Sequence, residues 1–183
     1  FQPLEHVIDE IPILPAIGNH EDDGVNYLAY MHLPVKERWY SFDLGPVHIL
    51  ALDFHYEKAT DEQFKFASND LHASTAPWKL VFLHYPTFNI GGHATGWGHD
   101  HYLPLFHQAK VDLVLSGHSH LYERFRPIAP KPGQSDWAIT HIVTGGGGAG
   151  LAPSYDHPAL ASRCSTNHFV LIEFTPTTLK GTA

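Results

Sequence analysis

The sequence has little with which to cross-link or anchor itself. Of its 183 residues one is cysteine, Cys164, so the chain can close no internal disulfide and build no thiolate metal cluster. No apolar run approaches the roughly 20 residues that span a bilayer, and no signal-peptide pattern stands at Phe1. Charge is scarce and one-sided: 16 % of residues are charged, with 19 acidic against 11 basic, a net charge of −8. A general binder of nucleic-acid backbone needs a positive field, so that class is excluded. The run Gly145-Gly146-Gly147-Gly148 lacks the Lys and Ser/Thr of a phosphate-cradling P-loop. It reads as a strand-end loop near a cleft.

What is present is an ordinary globular balance. Hydrophobic residues make up 43 %, enough for a sizeable core, and the length fits a single domain spanning residues 1–183. Aromatic residues, at 13 %, read as core and cleft walls. Histidine is the outlier, with 16 residues. Imidazole suits zinc, iron and manganese sites, but placement rather than number decides whether it serves one.

Periodicity gives a coarse map. Residues 1–10 read as the end of a helix and a turn, 11–17 as a strand carrying two prolines, and 22–36 as loop. Two β-rich runs flank Leu44-Gly45-Pro46, a hairpin signal. Thr60 and Gln63 form a capping-box pattern that predicts a helix over 61–73. A strand over 78–83, a short helix over 102–109 and strands over 111–115, 138–144 and 169–174 complete an α/β protein with a mixed sheet.

Three of the apolar strands end alike. Ile17 leads into Gly18-Asn19-His20-Glu21, Leu83 into His84, and Ser116 into Gly117-His118-Ser119-His120. Ligands of open α/β sheets gather at the carboxyl ends of strands, so three such ends bearing Asn and His point to one convergent cluster. A hydrolytic metal site needs neutral nitrogen and oxygen ligands that leave positions open. His118 and His120, two residues apart in a loop, can diverge to serve different metals, and Gly117 and Ser119 permit the tight turns this requires. Glu123 and Arg124 read as an ion pair beneath this loop, and Asp53 as structural.

The succession of GNHE, an apolar strand ending in His, and GHSH followed by Tyr122-Glu123-Arg124 resembles the calcineurin-like metallophosphoesterases, in particular their purple acid phosphatase branch. The resemblance extends over nearly the whole chain. It implies an αββα sandwich with mixed sheets. It implies hydrolysis of phosphoric esters, monoesters above all, at a binuclear metal centre with a metal-bound hydroxide as nucleophile. Asn19, His84 and His118 would then bind the second, divalent metal (zinc, manganese or iron). His120 would bind the first, which is ferric iron in purple acid phosphatases. His20 would stand beside the phosphate, and His93 would be a further substrate-facing histidine, with His99 and His101 as alternatives in the same loop.

The family also uses an early Asp-x-Gly strand end and a Gly-Asp-x-x-Tyr segment, both ahead of GNHE. Nothing among the residues before Asn19 matches them; Asp9 lacks the Gly and Tyr context. The chain is therefore expected to be the C-terminal portion of the catalytic domain, with the first β-α units missing. Its alternative role is a mononuclear metal-binding or interaction module. The expected partners are a small phosphorylated substrate and a second copy or another chain completing the sheet, with no nucleic acid and no membrane. The resemblance also implies an extracytoplasmic or secreted setting.

Overall fold

The computed structural model describes residues 10–34, 38–93, 96–130 and 137–183. The expected helix end over 1–10 lies outside them, save Glu10, which sits in a turn. The hairpin forms as the sequence suggests. Strand β1 (Tyr40–Leu44) turns through Gly45, whose φ of 57° is left-handed, into the antiparallel β2 (Val47–Leu52). Strands β3 (Trp78–Leu83), β4 (Leu113–Ser116) and β6 (Thr140–Thr144) extend the sheet in parallel from β2. Strands β5 (Tyr122–Phe125) and β7 (Leu160–Cys164) close it antiparallel, giving seven strands in the order β1-β2-β3-β4-β6-β5-β7. Strands β8 (Leu171–Phe174) and β9 (Leu179–Thr182) form a separate two-stranded sheet.

Alternation along the strands divides the core. On one face Leu50, Leu52, Val81, Leu83 and Val114 pack with Ala67 and Leu71 of helix α2 (Glu62–Ala73) and with Leu105 and Phe106 of helix α3 (Tyr102–Gln108). On the other face Val47, Ile49, Leu80, Leu113 and Ile142 meet Ile172, Phe174 and Leu179 of the small sheet. Beyond that sheet an apolar groove of about 430 Å³ is bordered by Leu14, Ile49, Leu80, Phe82 and Leu115.

Several expectations need correction. Residues 11–17 form no ladder strand: Leu14 and Ala16 lie beside Ile49, Leu80 and Leu115 of the sheet, Ile17 is buried, and Ile11 and Ile13 are exposed. The prolines of this run withhold the donors a ladder strand needs. A short helix α1 (Val25–Tyr30) forms inside the expected loop over 22–36, started by Gly24 at φ 81°. The capping box is not made. Asp61 is the N-cap of α2, without a side-chain cap bond, and Gln63 turns inward. Its amide accepts from the Asp53 backbone N–H at 2.6 Å and donates to the Asp53 carbonyl, the Tyr56 carbonyl and the Tyr102 hydroxyl. Helix initiation lost to a buried cross-link between β2 and α3. Strands β5, β7 and β9 were not expected, because each is short and mixes polar with apolar residues.

Candidate metal centre

The ends of β3 and β4 meet the turn that follows the unpaired run over 11–17. Asn19 follows Gly18, where an added Cβ would lie 2.7 Å from His84 Nδ1, so only glycine lets this loop close on the end of β3. The Gly18 N–H donates to Glu21 Oε2 at 2.6 Å, and Glu21 N–H to the Gly18 carbonyl at 3.1 Å, which fixes the GNHE turn. Across the cleft, His118 adopts φ 62°, a left-handed conformation uncommon outside glycine. The result is a triangle of side-chain atoms: His84 Nε2 stands 2.6 Å from Asn19 Oδ1 and 3.1 Å from His118 Nδ1, and His118 Nδ1 is 3.1 Å from Asn19 Oδ1.

Electrostatics keeps this triangle neutral. Burial, followed by the nearby positive ends of His20 and His120, holds His84 down to about 4. Burial, followed by His84, His93, His120 and His20, does the same to His118, also to about 4. The same causes place His20 and His93 within electrostatic reach of the cluster. His20 is exposed at its mouth. The ring of His93 stands 4.8 Å from that of His118 and 6.1 Å from that of His120. His120 is half-buried, and its Nδ1 donates to the Gly150 carbonyl at 2.8 Å. That bond fixes the tautomer and leaves the Nε2 lone pair for another partner.

All six residues expected at the site are thus gathered together. His99 and His101 are not among them. His99 donates from Nε2 to the Thr87 carbonyl at 2.6 Å and packs on Phe88, while His101 precedes α3 and meets Phe64. The glycine run does line the site's support, since a Cβ at Gly145 would collide with the Ser119 carbonyl oxygen. Glu123 and Arg124 form no pair: strand neighbours point to opposite faces, and Glu123, fully buried, accepts from the backbone N–H groups of Ile90 and Gly91. Tyr85, whose ring lies 4.4 Å from that of His118, escaped notice because an aromatic after a strand end carries no distinctive signal. Asp53 is structural, accepting from Arg38 Nε at 2.7 Å.

The donor set suits a metal ion. Ligands about 2.1 Å from one ion in an octahedral array lie about 3 Å apart, close to the edges of the Asn19–His84–His118 triangle. Two neutral imidazoles and an amide oxygen match zinc, manganese or iron. Among the described residues no group of three or more His, Cys, Asp or Glu side chains is spaced to hold a metal.

Comparison with known proteins identifies the family. Residues 1–122 match the calcineurin-like phosphoesterase family, and the chain belongs to it. It is similar to purple acid phosphatase 22 of Arabidopsis thaliana, with 36 % identity over 85 % of this chain and 41 % of that protein. It is also similar to acid phosphatase type 7 of Mus musculus, with 28 % identity over 79 % of this chain and 42 % of the relative. The fold matches the purple acid phosphatase PPD1 from yellow lupin (Lupinus luteus) seeds, with a TM-score of 0.75 and 22 % identity over 93 % of this chain and 37 % of that one. The chain therefore spans about two fifths of the length of these relatives.

Proposed function

We propose that this chain belongs to a catalytic domain that hydrolyses phosphoric esters, monoesters above all, at a binuclear metal centre. The observation that carries the reading is the neutral triangle of Asn19 Oδ1, His84 Nε2 and His118 Nδ1, formed where the ends of adjacent strands β3 and β4 meet the Gly18–Glu21 turn. These three would hold one ion, and His120 Nε2 would contribute to the other. When bound, the metals lower the pKa of water and neutralise charge on the phosphoryl oxygens. The chain's own residues do the rest. His20, exposed at the mouth, and His93, beside His118, present N–H groups where a phosphoryl group and its leaving oxygen would lie. An extracytoplasmic setting, by likeness to purple acid phosphatases, belongs to the same reading. Among the described residues no helix is long and apolar enough to cross a membrane.

A second reading, a mononuclear metal-binding or interaction module, is favoured by one observation: His120 alone of the gathered ligands stands for the other half of the centre. Both readings meet one experiment. Release of phosphate from an aryl phosphate is measured with manganese, zinc or iron, in the native chain and in His118→Ala and Asn19→Ala. Turnover that falls by roughly 100-fold or more in both variants supports the first reading. One tightly bound ion without turnover supports the second. Unchanged turnover in both variants overturns the site.

A further inference from the structure

We propose that Glu123 is a positioning residue whose buried carboxylate sets where His93 stands against the metal centre. The proposal rests on the reading above only for the use to which His93 is put. Glu123 sits in β5, between β6 and β7 and in register with Val143 and Arg163, so its backbone is held from both sides. It is fully buried. A buried carboxylate is costly unless charge-assisted hydrogen bonds replace its hydration. Here Oε2 accepts from the Ile90 N–H at 2.8 Å and Oε1 from the Gly91 N–H at 2.7 Å. An apolar side chain of similar size would leave both N–H groups without this acceptor and could not fix their direction.

The fixed segment leads directly to His93. At Gly91 an added Cβ would meet the Pro153 carbonyl oxygen at 2.5 Å and Leu121 Cδ2 at 2.7 Å, so the loop is pressed onto the end of β5. Two residues on, the His93 N–H donates to Ser119 Oγ at 3.0 Å, and that hydroxyl faces the His93 carbonyl at 3.3 Å. Asn89 Nδ2 donates to the carbonyls of Gly91 and His93 at 2.8 and 2.9 Å. Ser119 lies between His118 and His120. One stretch of chain, from Gly117 to Glu123, therefore presents two of the proposed ligands and also clamps the loop that bears His93. Ligand-to-histidine spacing is set within a single rigid piece. Displacement of such a group by about 1 Å can cost about 100-fold in rate.

The test is Glu123→Gln, nearly isosteric but with one acceptor oxygen in place of two, so that one N–H faces an amide donor. In the metal-free chain, proton cross-relaxation between the His93 and His118 rings is expected to weaken. Amide exchange of Ile90 and Gly91 should quicken while that of β2 and β3 stays slow. In the zinc-loaded chain, zinc affinity should hold while inorganic phosphate binds roughly tenfold more weakly, the scale of an orienting contact to a metal site. His93→Ala should lose a similar factor, and the double variant no more than either alone. A purely structural Glu123 would lower the melting temperature and leave the ring contact and phosphate affinity unchanged; that result overturns the proposal. Should Glu123→Gln fail to fold, Glu123→Asp takes its place, keeping the charge but drawing the acceptor oxygens back from the Ile90 and Gly91 N–H groups. Persistence of the His93–His118 contact there overturns the proposal equally. Failure of the native chain to bind zinc would count against the proposed function, while the metal-free measurements would still decide the role of Glu123.

Discussion

His118 and His120 are two residues apart, yet their surroundings differ. His118 is bent into a left-handed conformation and faces Asn19 and His84 at 3.1 Å each, in a half-buried triangle whose edges already suit one ion. His120 turns its Nδ1 to the Gly150 carbonyl, and its closest aromatic neighbour in the cluster is His93, at a ring separation of 6.1 Å. Convergence of two strand ends and the Gly18–Glu21 turn is enough to build the first half of the proposed centre. The second half has its orienting backbone bond but draws only one proposed ligand from this chain. A metal site can thus be half finished by topology: the parallel strands β3 and β4 bring His84 and the Gly117–His120 loop together because they are neighbours in the sheet.

The contrast can be broken most sharply by metal titration. His118→Ala, His84→Ala and Asn19→Ala should each weaken the tightest zinc or manganese equivalent by more than the roughly 10–100-fold that loss of an orienting contact costs, because a ligand itself is lost. His120→Ala should leave that equivalent in place and remove only a weaker second one. Isothermal titration calorimetry reads both. Equal damage from His120→Ala and His118→Ala would show that the two halves act as one site.

Acid should separate free ligands from protonated ones. His84 and His118 are both pushed down to about 4, first by burial. Because a proton competes with the ion only below the pKa of its ligand, zinc affinity at the triangle should stay nearly flat from about pH 7 to about pH 5 and fall as pH drops towards 4. An ordinary histidine site would already be failing near pH 6.5. Affinity measured across that range checks the point, and a midpoint near 6.5 would count against it.

Much of this could be read in the sequence where the physics is local. The hairpin at Gly45, the apolar runs of β3 and β4 and the three motifs that follow apolar runs are each written in a few consecutive residues, and the meeting of His84 with the Gly117–His120 loop follows from the pairing of parallel neighbours. What escaped reading depends on distant partners. Gln63 looked like a helix cap, but its amide is taken by Asp53, Tyr56 and the Tyr102 hydroxyl. Glu123 looked like half of an ion pair with Arg124, but strand alternation sends the two apart and the carboxylate finds the backbone of a loop more than 30 residues earlier. His99 and His101 share a loop with His93, and only the folded backbone, clamped by Ser119, tells which of them reaches the site.

The smallest expected effect concerns histidines that are neutral or charged for packing alone, and it guards against reading burial as ligation. His141 in β6 is buried with Nε2 unpartnered, and burial, with His107 and His99 nearby, pushes it down to about 3. His48 in β2 is as buried but bridges two carboxylates, at 2.7 Å from Asp70 and 2.7 Å from Asp43. Its bond to Asp70, then that to Asp43, raises its pKa against the opposing cost of burial. The signs are opposite. An unfolded histidine takes its proton near 6.5, so His141 supports the fold fully above that value and less as pH falls towards 3. His48 supports the fold below 6.5 and less as pH rises through its raised folded value. In urea unfolding between about pH 7.5 and about pH 5, His141→Phe should therefore lose less stability on acidification than the native chain, and His48→Gln should lose more. Parallel slopes in the two variants would mean that neither histidine changes its proton occupancy on folding. The neutrality of His84 and His118 would then have to be tested by direct titration before it could argue for a metal.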